Sequence, residues 1–364
     1  MRGAELHERS AVHIHCVRMS FLLRRCVDTF VSMEQVINAP TALIWSCDIP
    51  ALEITTSEDS LALQVQVDSA LVQELTLYAY NGSITMWELQ ELVEAYMRDH
   101  SLYHGEVSVI HGASSLCSFE CIHLAGLMLG DCQSWCANHF LTLAPSKQLV
   151  PGVEDVLYYH GADNQASVSV TYRADGGARV VSGALSVNGC VTVSVESLEE
   201  MFSVTDILCV TIRVGTRRMY YYVNQELSPD YVFLCVNFFG VLEVVPINCS
   251  TSANQVGTRT VSSVNRNAVL ALLNHEVEHE VETAPLSPLQ CSIVEQLCES
   301  PTVWLLPGMT PVVIKDRTCE YSDERGALQS VKFTWRTLSG RRIANIETQD
   351  PGNIFTEEYN EVYG

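Results

Sequence analysis

Long apolar runs are missing from this 364-residue chain. None approaches the ~20 residues that a membrane-spanning helix needs, so no transmembrane segment is expected. Basic residues are scarce: 21 Lys and Arg stand against 43 Asp and Glu, a formal net charge of −22 at pH 7. That imbalance opposes nucleic-acid binding, which needs Lys and Arg to neutralise phosphates. It also opposes docking on anionic membranes and favours solubility. A secretory signal is not expected, because Phe21-Leu22-Leu23 falls short of the roughly 7–15 apolar residues of such a segment. There is no G-x-x-x-x-G-K-[ST] phosphate loop, no G-x-S-x-G elbow and no EF-hand loop. The fourteen Cys are too sparse for a disulfide scaffold in a chain this long. Several sit in strand-like runs, such as Cys209 beside Leu208 and Val210 and Cys235 beside Leu234 and Val236, where a reduced thiol acts as a small hydrophobe. A cytoplasmic or virion-associated location is expected, and no cofactor.

What is present is alternation. Leu61, Leu63, Val65 and Val67 share one face; Val168, Val170 and Tyr172 repeat the pattern, as do Val191, Val193 and Val195, and Leu208, Val210, Ile212 and Val214. Period two marks strands with one buried face. Asn81-Gly82, Asp175-Gly176-Gly177 and Asn188-Gly189 supply the positive φ of tight hairpins. Two helices stand out. Thr85 and Glu88 fit a capping box ahead of Leu89, Leu92, Val93, Tyr96 and Met97. Ser287-Pro288-Leu289-Gln290 fits a second, with Leu289, Ile293, Val294 and Leu297 as the apolar face and a stop at Ser300-Pro301.

The expected fold is mainly β with a few helices (α+β), in two or three antiparallel β-sandwich-like modules. Residues 1–32, with five Arg, no Lys and three acids, read as an extension outside the folded chain, which opens at Met33. The modules are 33–148 with a helix over 85–99, 149–250, and 258–347 with a helix over 288–299. Boundaries fall near Ala144-Pro145-Ser146 and in 250–257, and 348–364 form a loose acidic tail.

Three stretches resemble a family of uncharacterised strand-rich proteins of gut anaerobes and their prophages: 80–97 (YNGSITMWELQELVEAYM), 231–244 (YVFLCVNFFGVLEV) and 311–336 (PVVIKDRTCEYSDERGALQSVKFTWR). The resemblance implies a phage-structural or surface protein and carries over no functional residue.

Four groups of residues bear on chemistry. His275-Glu276-Val277-Glu278-His279 matches H-E-x-x-H, which on a helix places two His ligands on one face with Glu276 as the base of a zinc hydrolase; Glu299 would be a third ligand. Against this, Glu276, Glu278, Glu280 and Glu282 alternate with Val277, His279 and Val281, which predicts an exposed strand with an acidic face. Cys117, Cys121, Cys132 and Cys136, with His123 and His139 nearby, have the residue types of a structural zinc site, but the residues between the two pairs are largely apolar and read as core. Tyr220-Tyr221-Tyr222 on a strand puts either the outer two rings or the middle one on an exposed face, which invites a glycan ligand. Lys332, Arg336, Arg341 and Arg342 read as a solvated strand face and turn. The leading expectation is a non-enzymatic structural or binding protein, an assembly component that meets other protein subunits. The alternatives are the zinc hydrolase and a carbohydrate-binding module.

Overall fold

A computed structural model of the chain describes residues 34–224, 228–264, 267–320 and 328–337; for 255–276 and 319–320 it describes the backbone alone. The expectations for 1–32, the tail from Thr348, Arg341 and Arg342 lie outside these residues. The chain divides into two compact units, Met1–Trp135 and Cys136–Gly364. The boundary falls inside a short helix, ahead of Ala144-Pro145-Ser146. That tripeptide instead leads into a strand of the second unit, and 250–257 lie within a continuous strand.

The first unit contains β1 (Gln35–Val36), β2 (Ile44–Trp45), β3 (Leu52–Thr55), β4 (Ser60–Val67), β5 (Ala70–Tyr78), β6 (Ser83–Met86), helix α1 (Leu89–Asp99), β7 (His104–His111) and β8 (Ser114–Ile122). The five-stranded sheet runs β2-β8-β7-β4-β5, and a three-stranded sheet runs β1-β3-β6. Leu61, Leu63, Val65 and Val67 are all buried, as their alternation predicts. They share a core with Leu52 and Ile54 of β3, Ile84 and Met86 of β6, and Leu89, Val93 and Met97 of α1. The β5–β6 turn places Asn81 and Gly82 at φ +54° and +78°, the pair of positive values that Asn-Gly supplies. The capping box at Thr85 does not form. Thr85 pairs with Glu53 in the β3–β6 ladder, and Glu88 is the N-cap without a side-chain bond. Leu92 and Tyr96 pack at the edge of this core rather than in its centre. Helix α2 (Cys132–Asn138) spans the unit boundary.

The second unit contains β9 (Ser146–Leu149), β10 (Asp155–Tyr158), β11 (Gln165–Ala174), β12 (Gly177–Ser186), β13 (Cys190–Val193), helix α3 (Val195–Phe202), β14 (Ile207–Val214), β15 (Arg217–Val223), β16 (Tyr231–Val236), β17 (Leu242–Ile247), β18 (Cys249–Val264), β19 (Asn267–Thr283), helix α4 (Pro288–Glu299), β20 (Val303–Leu305), β21 (Thr310–Glu320) and β22 (Ser330–Thr337). Its sheets are β12-β11-β14-β15-β9, the pair β10-β13, and a seven-stranded sheet β17-β16-β20-β21-β22-β19-β18. Most pairings in the chain are antiparallel; β9 with β15 and β2 with β8 are parallel. The fold is therefore mainly β with segregated helices.

Local departures from the alternation have local causes. A register shift opposite Thr171 and Tyr172 pairs Cys209 and then Ile207, so Leu208 is skipped and Ile207 takes the core position. Val195 is buried, but as the first residue of α3 behind the capping box of Ser194 and Ser197. Asn188-Gly189 turns the chain from β12 into β13 of a different sheet and closes no hairpin. The capping box at Ser287 forms as predicted: Ser287 N–H donates to Gln290 Oε1 at 3.0 Å, and Gln290 N–H donates to Ser287 Oγ at 3.4 Å. Helix α4 buries Cys291, Val294, Gln296 and Leu297, and leaves Leu289 exposed.

Candidate functional site

The seven-stranded sheet ends in an unusually long hairpin. β18 and β19 pair along their whole lengths, from Cys249 with Thr283 to Val264 with Asn267. β22 pairs with β19 only from Glu278 to Glu282. Outward of Val277, among the described strands, the hairpin is a two-stranded ribbon, roughly 30 Å long at ~3.3 Å per residue. An isolated two-stranded hairpin is marginal in water, and its unpaired N–H and C=O groups template further pairing. The ribbon contains the apolar run Ala268-Val269-Leu270-Ala271-Leu272-Leu273. A run of consecutive apolar residues on a strand supplies apolar positions to both faces. Residues 249–275 hold no Asp or Glu and two Arg, in a chain of net charge −22.

At its base the sheet has two contrasting faces. On one, Val281, Phe333 and Trp335 are buried, and the His279 ring stacks on Trp335 at 4.1 Å and 7°. Partial burial pushes the His279 pKa down, favouring the neutral ring. On the other, Ser250, Ser252, Glu280, Glu282, Asp316 and Lys332 line a groove of about 430 Å³. Glu280 accepts from Asn254 Nδ2 at 3.0 Å and Ser252 Oγ at 3.3 Å; Lys332 faces Glu282 at 3.4 Å, and Lys315 Nζ meets Glu278 at 2.5 Å. The acidic face expected from alternation is present over 278–282.

The H-E-x-x-H segment lies within β19. On an extended backbone, positions 275 and 279 are roughly 13 Å apart, whereas a shared zinc requires bonds of ~2 Å. The helical geometry that the hydrolase alternative needs from His275, Glu276 and His279 is thus replaced by strand geometry. Glu299 closes α4 and accepts from Arg317 at 2.6 Å. Cys117 and Cys121 sit four apart on β8, and Cys132 and Cys136 on α2. Burial pushes the Cys117 thiol up to about 11 and the Cys121 thiol to about 12, and Cys121 Sγ lies 3.5 Å from Met97 Sδ. Among the described residues, no cluster of three convergent ligand atoms includes any of the four.

On β15, Tyr221 is buried, while Tyr220 and Tyr222 are 45% and 46% exposed on one face. Arg218 lies over the Tyr220 ring at 5.6 Å and donates to its hydroxyl at 2.6 Å. Beneath that face lies a group that sequence reasoning misses. Lys147 of β9, a buried residue, meets Asp155 of β10 at 2.8 Å and Glu243 of β17 at 3.7 Å. Tyr221 donates to Asp155 at 2.6 Å; Thr142, Asn237 and Gln296 donate to Glu243 at 2.5, 2.8 and 2.9 Å. Burial alone would pull the Lys147 ammonium pKa down; Asp155 and Glu243 outweigh it and hold it up. Burial, with Asp155, pushes the Tyr221 phenol well above its usual range. Both carboxylates contact the one ammonium and accept further hydrogen bonds, and the group ties the sheet of β9 to the seven-stranded one. Its arrangement is that of a polar weld in the core.

No model of a protein family matches this chain, and no curated protein matches it.

Proposed function

We propose that this chain is a non-enzymatic structural subunit that assembles with further copies of itself through the β18–β19 ribbon. The observation that carries this reading is the ribbon, which continues past the strand that supports it. Its composition supports the same reading. Residues 256–276 carry two Arg against one carboxylate, Glu276 at the base of the ribbon, so the segment meets the acidic surface of a neighbouring copy with little like-charge repulsion. Edge pairing of this kind supplies main-chain hydrogen bonds, with the apolar run as the buried part of the contact. The resemblance of 80–97, 231–244 and 311–336 to uncharacterised strand-rich proteins of gut anaerobes and their prophages implies a setting for such a subunit, a virion or prophage-encoded assembly.

The test is sedimentation velocity on the full chain and on a variant with residues 256–276 replaced by Asn-Gly. That replacement joins Gln255 and Val277, which are register partners, by a two-residue turn. The full chain is expected to sediment as a concentration-dependent oligomer and the shortened chain as a monomer with the same near-ultraviolet spectrum, since 256–276 contain no aromatic residue. A monomeric full chain over the micromolar range would refute the proposal.

A second reading, glycan binding, is favoured by the paired exposure of Tyr220 and Tyr222 beside Arg218. Rings spaced two apart on a strand present parallel platforms for sugar faces. A glycan array probed with the full chain and with Tyr222→Ala checks it: binding lost in the variant supports this reading, and no binding by either rejects it.

A further inference from the structure

In the first unit three ligand-type side chains from separate segments converge. Glu34 immediately precedes β1, Glu58 lies in the turn between β3 and β4, and His111 closes β7. One ligand atom of each lies within 4.8 Å of the other two. Pairing fixes the three segments: Gln35 with Thr55 between β1 and β3, and Leu63 with His111 between β4 and β7. The Glu58 turn is held by its own N–H donating to Thr56 Oγ1 at 3.0 Å.

The orientation of the imidazole is set from outside the cluster. His111 Nδ1 lies 2.9 Å from the Ala62 carbonyl oxygen. A carbonyl only accepts, so Nδ1 carries the proton and Nε2 is left as the nitrogen that can ligate. A backbone carbonyl behind a histidine is the usual outer support of a metal ligand, because it fixes the tautomer and the plane of the ring. The imidazole and the two carboxylates bring one ligand atom each within 4.8 Å of one another, a spacing that a bound cation can bridge. We propose that Glu34, Glu58 and His111 form a binding site for a divalent transition-metal ion. One nitrogen and two carboxylate donors suit zinc or manganese, and Glu58 is exposed, so the remaining coordination positions open to water. Bound there, the ion would clasp the short strand β1 to the β4–β7 sheet. The competing occupant is a proton on Nε2, which would make an imidazolium–carboxylate contact without metal.

Zinc titration by calorimetry separates the two, using chelator-treated full-length protein under reducing conditions. His111→Ala and Glu58→Gln are the variants, and His100→Ala, an exposed histidine at the end of α1, is the control. One zinc per chain is expected for the wild type and the control, with affinity falling at least tenfold in both site variants. Glu58→Gln changes an exposed turn residue, so it reads the site even if His111→Ala folds poorly. Cobalt in place of zinc should give a visible spectrum without the thiolate charge-transfer band that cysteine ligation would add. No zinc binding at micromolar concentration, binding indifferent to Glu58→Gln, or a thiolate band would each overturn the site; the first would leave the protonated contact.

Discussion

Lys147 shows what one charge does in a sealed interior. Its ammonium contacts both Asp155 and Glu243, so removing it leaves two buried carboxylates with no cation beside them. Lys147→Met is expected to destabilise the second unit by about 3–5 kcal/mol, the usual cost of breaking a buried pair from one side. Arg98→Ala, which breaks an exposed pair with Asp99, should change stability by less than about 0.5 kcal/mol. Urea unfolding of both variants beside the wild type checks the contrast. His123 supplies a second residue-scale expectation. It is 5% exposed, and burial, reinforced by Arg98, lowers its pKa to about 4. Between pH 6.5 and 4 the unfolded chain therefore binds a proton that the folded chain refuses, and stability falls as pH falls through that window, by up to about 3 kcal/mol. His123→Leu should remove that part of the acid sensitivity. The readout is hydrogen exchange at β7 and β8, measured at pH 6.5 and pH 4.5; an identical pH response in both proteins would contradict it.

Two helices with similar sequence signatures diverge at the level of the element. Ser287 caps α4 reciprocally with Gln290, so Ser287→Ala should cost about 1 kcal/mol. Thr85 is held in the β6 ladder and does not cap α1, so Thr85→Ala should leave the α1 amides as protected as before. In α1, Met97→Ala should cost about 2–5 kcal/mol and Leu92→Ala clearly less, because Met97 is fully enclosed and Leu92 sits at the rim. Thermal unfolding and amide exchange check these expectations. The strands were legible because period two survives wherever a sheet has one wet face, as along β4. The departures were not legible, because each depends on a partner far away in sequence. Glu53 recruits Thr85 into a ladder, the register shift opposite Thr171 displaces Leu208, and no local pattern marks Lys147 as buried. His111, Glu58 and Glu34 are likewise 24 to 77 residues apart in the chain and meet only through strand pairing.

At the scale of the whole molecule, the sheets of each unit enclose their own cores, and the β18–β19 ribbon is the described element that extends beyond its sheet. The H-E-x-x-H motif, the strongest enzyme signature in the sequence, sits where that ribbon leaves its support, on extended backbone. Assembly through the ribbon makes a direct demand on its amide protons. A free two-stranded ribbon exchanges quickly, whereas one paired with a neighbouring copy is protected. Hydrogen exchange of the amides in 256–264 and 267–276, measured from nanomolar to high micromolar protein, is the sharpest measurement. Protection that rises with concentration, while that of β4 and β11 stays constant, is the predicted result. Ribbon exchange that is independent of concentration over that range would contradict the assembly role.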